Sequence, residues 1–177
     1  MPITFKVADR PDEFEQIHAL NFRTFVDEIP QHAPLEPGRL VDRFDAENTY
    51  LIAMRGGRLI GMSAVRSARP FSLDGKLEDV DAHLPPHRSP CEVRLLAVEQ
   101  CERGGRVLVG LMEMLSDHFR ERGHDLALIS GTTARRDCLA DARATRRHLS
   151  TRAPRSCSAT VTSVRFVTSG WIAAAPS

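Results

Sequence analysis

Lysine and tyrosine are almost missing from this sequence. Its 177 residues hold two lysines against 22 arginines, and a single tyrosine, Tyr50. No apolar run approaches the roughly 18–20 residues that a membrane-spanning helix needs, so a helical span is excluded. The four cysteines, Cys91, Cys101, Cys138 and Cys157, show no C-x-x-C spacing, which argues against metal knuckles and dithiol redox motifs. The amino terminus runs straight into a strand pattern, without the layout of a secretory signal. Reduced cysteines and a cytoplasmic location are the expectation. There is no internal repeat. The seven histidines make no metal pattern either. His83 and His87 flank Pro85-Pro86 in a loop instead of sharing a helix face, so no metal is expected. His118 and His124, at the end of a helix, are expected to face solvent.

What is present is an ordinary globular composition, 42% apolar and 27% charged, long enough for one domain with a real core. The net charge of +1 hides an asymmetry. Residues 138–177 carry six arginines against Asp141, giving +5 and leaving −4 for the first 137 residues. A basic tail on an acidic body raises a nucleic-acid arm. Composition offers a duller explanation. From Cys138 onward Arg, Ser, Ala and Thr dominate and apolar periodicity nearly vanishes, as in a segment read out of frame or diverged, and poorly packed. Nucleic acid is therefore not the expected partner.

Periodicity orders the rest. Ile3 to Ala8 reads as a strand. Pro11 opens a helix with Asp12, Glu13 and Glu15 near its positive end. Phe14, Ile17, Phe22, Phe25, Val26 and Ile29 mark its apolar face as far as Pro30. Gln31 to Arg39 is a loop, and Leu40 to Phe44 is a short helix or turn. Thr49–Arg55 and Arg58–Ser67 form a hairpin about Gly56-Gly57. Ala68 to Pro90, with four prolines, has the length of a binding loop or lid. Cys91 to Val98 is a strand covered on both faces. Val107, Leu108, Leu111, Met112, Leu115 and Phe119 mark one face of a helix that Gly123 stops, and Leu126 to Ser130 is the next buried strand. Arg135 to Leu149 has helix-forming composition, and Val161 to Val167 has β-propensity. The expected fold class is α+β (mixed α/β), with a mostly antiparallel central sheet flanked by helices. Residues 1–134 form the domain, and 135–177 are either its degenerate end or a disordered tail.

The stretch Cys91–Ser130 carries the chemistry. A strand passing through Arg103-Gly104-Gly105-Arg106 into a helix leaves free N–H groups at the helix start, a place for an anion and most often a phosphate. A nucleoside-triphosphate loop is excluded because no Lys follows the glycines. Gly104, Gly105 and Gly110 miss the dinucleotide spacing.

Leu95-Leu96-Ala97-Val98, a four-residue spacer and Arg103-Gly104-Gly105-Arg106-Val107-Leu108 resemble the central motif of the GNAT (GCN5-related N-acetyltransferase) superfamily. In that motif an apolar strand end is followed by [QR]-x-x-G-x-[GA] and a helix. Arg106 stands where the pattern has a small residue. The resemblance implies acetyl-CoA or acyl-CoA as donor. The pantetheine arm would lie along Leu96, Ala97 and Val98, and the phosphates at Arg103, Gly104, Gly105, Arg106, Val107 and Leu108.

A narrower resemblance is to the N-acyl amino acid synthase and acyl-homoserine-lactone synthase branch. It is carried by Phe22-Arg23-Thr24-Phe25, Asp42-Arg43-Phe44-Asp45, Thr49-Tyr50-Leu51 and Gly61 to Arg66. It implies Arg23, Asp45 and Arg66 as substrate-binding residues and Glu92 as the catalytic carboxylate, a general base acting directly or through water. In that branch an Arg follows this Glu by three residues; here Arg94 follows by two. The Tyr that many GNAT members place after the strand near Ser130 has no counterpart, so the thiolate's acid is vacant or is water.

Three functions follow. One is an acyl-CoA N-acyltransferase for a small-molecule amine or amino acid. The second draws its acyl chain from acyl carrier protein, and the third is a non-catalytic GNAT-like domain with a damaged C-terminus. Monomer and homodimer both stay open.

Overall fold

Gly56 and Gly57 set the sheet's direction. Both have positive φ, 59° and 79°, as a tight two-residue hairpin requires. They join β2 (Thr49–Arg55) to β3 (Arg58–Arg66). The computed structural model describes residues 1–29, 36–75, 78–86, 89–132, 159–167 and 170–173. β1 (Thr4–Val7) pairs antiparallel with β2, and β4 (Pro90–Val98) pairs antiparallel with β3. β5 (Leu126–Thr132) is parallel to β4, and β6 (Ala159–Val167) and β7 (Gly170–Ala173) follow antiparallel. The strands lie in sequence order. The one parallel pair among the described strands needs a crossover, which α2 (Arg106–Arg122) supplies.

This is the expected α+β, mostly antiparallel arrangement. The strand expected at Val161–Val167 falls within β6, whereas the helix expected over Arg135–Leu149 lies outside the described residues. Of the short helix or turn expected at Leu40–Phe44 the turn is what forms, at Arg43 and Phe44, and a 3₁₀ turn follows at Asp45–Glu47.

Alternation along the strands gives the sheet two dressed faces. On one, α2 lays Val107, Leu111, Leu115 and Phe119 over Leu51, Val65, Cys91 and Val93. Each such fully buried side chain contributes about 1.5–3 kcal/mol. Two expectations for this helix are corrected. Leu108 is 42% exposed, because Val107 and Leu111 already point at the sheet and the intervening residue turns away. His118 is buried, not solvent-facing, because it stands seven residues after Leu111 on the same helical face. Burial, with Arg122 and His124 nearby, pushes the His118 pKa below its ordinary value.

On the other face, α1 (Pro11–Phe22) packs Ile17 and Leu20 over Ile52, Leu59, Met62 and Ala97. Glu13 caps its start by accepting from the backbone N–H groups of Asp9 and Arg10, at 3.1 and 3.3 Å. The helix does not run on as an α-helix to Ile29. Arg23–Glu28 is a π-helical turn, closed by Ile29 N–H donating to Thr24 O at 2.9 Å. Farther along the same sheet face, Phe71, Leu73 and Val80 from the long β3–β4 connection cover Leu126 and Leu128. That connection is therefore seated on its own small core.

Gly61 lets α2 approach β3 closely. A Cβ there would stand 2.6 Å from Val107 Cγ1 and 3.4 Å from both the Ala97 carbonyl and Leu111 Cδ1. Val107 is β-branched and buried, so it has little room to yield. Gly61→Ala is expected to cost about 1–3 kcal/mol in urea unfolding. A cost near zero would show that α2 sits farther from the sheet.

Candidate active site

β4 pairs with β5 only from Pro90 to Val93, opposite Leu126 to Ile129. Beyond Val93 it keeps its β3 partners but has no strand on its other edge among the described residues. A bulge accompanies the parting. Met62 pairs with Ala97 and Ala64 with Arg94, so Leu95 and Leu96 together face Ser63, and Leu95 takes a φ of 41°. The freed backbone of Arg94–Val98 can pair with an extended, amide-bearing arm much as an added strand would. Ala97 is buried against α1, whereas Leu96 is 41% exposed beside this fork.

β4 then enters the glycine turn. Gly105 has φ 95° and stands at the N-cap of α2, where no side chain caps the helix. Val109 is the residue whose N–H closes the first turn, onto Gly105 O at 2.9 Å. The N–H groups of Arg106, Val107 and Leu108 thus occupy the positions that a helix cannot satisfy internally. Arg103 does not project into the turn. Its Nε donates to Val98 O at 3.0 Å, and its two terminal nitrogens clasp the Glu28 carboxylate at 2.5 and 2.6 Å. That carboxylate raises the Arg103 pKa above its ordinary value.

A polar seam crosses the α1 face of the sheet, between α1 and the loop core. Glu92 has no exposed surface. It accepts from Ser72 N–H at 2.8 Å, from the Ser72 hydroxyl, and from Arg94 Nη1 at 3.3 Å. Arg94 spends its other edge on Asp42, at 3.0 and 2.6 Å. Burial works against the Arg94 charge, but the Asp42 hydrogen bonds and the two carboxylates outweigh it and raise the pKa. Arg66, beside Glu92 in register, donates to Pro70 O at 2.7 Å and lies 3.4 Å from Glu47. The Phe44 ring is the common platform, with the Arg66, Arg43 and Arg94 guanidinium carbons 3.9, 4.5 and 4.9 Å from its centre.

Asp45 follows Phe44 and accepts from Tyr50 OH at 2.7 Å, with His18 Nε2 2.9 Å away. Burial first, and then Asp45, push the Tyr50 phenol far above its ordinary pKa, so it stays protonated. Cys91 is likewise pushed up to about 11 by burial, which keeps it a thiol.

The structure thus brings Asp45, Arg66 and Glu92 into one seam. It does not bring Arg23 there. That side chain, 48% exposed, pairs with Glu99 at 2.6 Å beside the glycine turn. Sequence reasoning missed Asp42, Ser72, Phe44 and His18 as members of the seam. Only Asp42 and Phe44 had a local signal, since they stand within the Asp-Arg-Phe-Asp motif.

No sequence-family model matches the chain, and no curated protein matches it by sequence. Solved structures do match it by shape. The acyl-homoserine-lactone synthase LasI superposes with a TM-score of 0.61 at 14% identity, over 80% of this chain and 78% of LasI. The fold is GNAT-like. The CoA-dependent acyl-homoserine lactone synthase BjaI gives 0.61 at 21%, over 80% and 72%. FeeM, an N-acyl amino acid synthase from uncultured soil microbes, gives 0.57 at 14%, over 78% and 76%. An N-acetyltransferase from Staphylococcus aureus Mu50 gives 0.50 at 11%, over 78% and 79%. At these identities the likeness is one of fold. It agrees with the GNAT and synthase-branch resemblance seen in the motifs.

The Asp42–Arg94 pair is the buried anchor of this seam, the two side chains being only 7% and 11% exposed. Breaking a buried pair strands a charge, so Asp42→Asn is expected to cost about 3 kcal/mol or more in chemical unfolding. Arg23→Ala, which breaks an exposed pair, is expected to cost under about 1 kcal/mol. Equal losses would mean that the seam is wet.

Proposed function

We propose that the chain is an N-acyltransferase that moves an acetyl or longer acyl group from acyl-CoA to the amine of a small molecule or amino acid. The observation that carries this is the parting of β4 from β5 after Val93, with the freed edge leading into an uncapped helix N-terminus. An acyl-CoA has the matching shape: a pantetheine arm with two amides, then a pyrophosphate. Laid along Leu96–Val98 with its phosphates at Gly104–Leu108, it would bring its thioester toward Arg94 and Glu92.

In this reading the fold does most of the catalysis by placing two reactants together and holding charge where it develops. The amine attacks the thioester carbon, the oxyanion forms in the fork, and the thiolate leaves. Glu92 is the proposed proton acceptor, and its hydrogen bonds decide how it can act. With one carboxylate oxygen held by the Ser72 hydroxyl and the other by Ser72 N–H and Arg94, Glu92 is placed to act through a relayed water more readily than on the amine directly. With Tyr50 buried against Asp45, the thiolate takes its proton from water.

A second reading is supported by the grouping of Asp45, Arg66 and Glu92. These fill places that the synthase branch uses, and the donor would then be a long acyl chain delivered by acyl carrier protein. Thermal stabilisation separates the readings. Acetyl-CoA at a hundredfold over its dissociation constant should raise Tm by about 5 °C or more. A shift with a long-chain acylated carrier protein but with neither acyl-CoA selects the second reading, and no shift with any of these rejects a donor site. Glu92→Gln should then lower turnover at least about a hundredfold. Unchanged turnover with an amine acceptor would remove Glu92 from the chemistry.

A further inference from the structure

The π-helical turn Arg23–Glu28 lies against the donor turn. Its i→i+5 closure stacks residues five apart on one side, where an α-helix would splay them. Arg23 and Glu28 are such a pair, and both reach the same place. Arg23 binds Glu99 at 2.6 Å, just before the glycine turn. Glu28 clasps Arg103 through both terminal nitrogens, just before Gly104. Arg58 and Arg55 add contacts to Glu99 and Glu102. Arg23, Arg55, Arg58 and Arg103 thus already have carboxylate partners within the chain.

A fork-shaped carboxylate on a guanidinium has the same geometry as a bidentate phosphate oxygen pair. Glu28 therefore occupies on Arg103 the edge that a donor phosphate would use, and it adds a negative charge beside the anion's place. The pair is also partly open to water, with the Arg103 and Glu28 side chains 40% and 21% exposed, so its partners can exchange. We propose that Glu28 is a resting stand-in for the donor's phosphate. Binding of a nucleotide diphosphate end transfers Arg103 from Glu28 to the ligand and releases the π-helical end of α1. The proposal rests on the acyl-CoA reading above and assigns that site an internal competitor. It also gives the π turn a purpose, since an α-helical continuation would turn Glu28 away from Arg103.

The test is calorimetric titration of the full chain with CoA and with 3′,5′-ADP. A competitor lowers apparent affinity by the fraction of protein it occupies, so Glu28→Gln should bind CoA about three- to tenfold tighter than wild type. Arg103→Met should weaken binding, and Glu28→Gln should bring no gain in the Arg103→Met background. Glu28→Ala repeats the measurement with a smaller side chain, and melting curves confirm that each variant folds. Binding by wild type with equal or weaker affinity in Glu28→Gln overturns the proposal and leaves the donor reading standing. So does an equal gain in the Arg103→Met background, which would mean simple long-range charge removal. Binding by Glu28→Gln alone supports it. No binding by any variant rejects the donor reading and this proposal together.

Discussion

The parting of β4 from β5 is the constraint on which the rest of the structure depends. Two parallel strands that separate must lose ladder hydrogen bonds, and the fold arranges for that loss to be localised. The bulge at Leu95–Leu96 bends β4 while Ala64, Met62 and Gly61 keep their hold on its other edge. Gly61 in turn admits α2 against β3, which fixes where the helix starts and so where its free N–H groups point. The fork and the uncapped start of α2 are thus two consequences of one bent strand.

Charge is handled differently on the two sides of that strand. In the seam, Asp42, Arg94, Glu92 and Ser72 form a buried chain of hydrogen bonds in which each group's lone pairs or protons are engaged. Such an arrangement holds geometry more than it adds stability, because desolvating the charges offsets much of their attraction. At the glycine turn the pairs of Arg103, Arg23 and Arg58 are partly wet and can be exchanged. The rigid pairs lie along the buried seam, and the exchangeable ones surround the glycine turn.

Arginine dominance made one part of the site readable and another misleading. The glycine turn and the helix after it follow from local signals, and both stand where the spacing put them. Arg23 was grouped with Asp45 and Arg66 by motif resemblance, yet the π turn carries it to Glu99, 76 residues away. Glu92 lies on a strand legible from its apolar run, but its hold on Ser72 depends on a loop 20 residues earlier folding back over β5. His118 shows the same limit on a smaller scale, since its helical position predicted burial more truly than its polarity predicted exposure.

By itself the sequence determined the elements that short-range physics controls: the hairpin at Gly56-Gly57, the α2 periodicity with its Gly123 stop, the buried run of β4 and the glycine turn into α2. Each rests on backbone freedom or side-chain period within a few residues, which composition and spacing display directly. Tertiary structure alone decided the partners: Asp42 with Arg94, Glu92 with Ser72, Glu28 with Arg103, and the exact residue at which β4 leaves β5. Arginine can pair with any carboxylate that comes within reach, so its partner is set by which backbones the sheet and helices bring together. That choice is made by packing across the whole chain, and no local pattern records it.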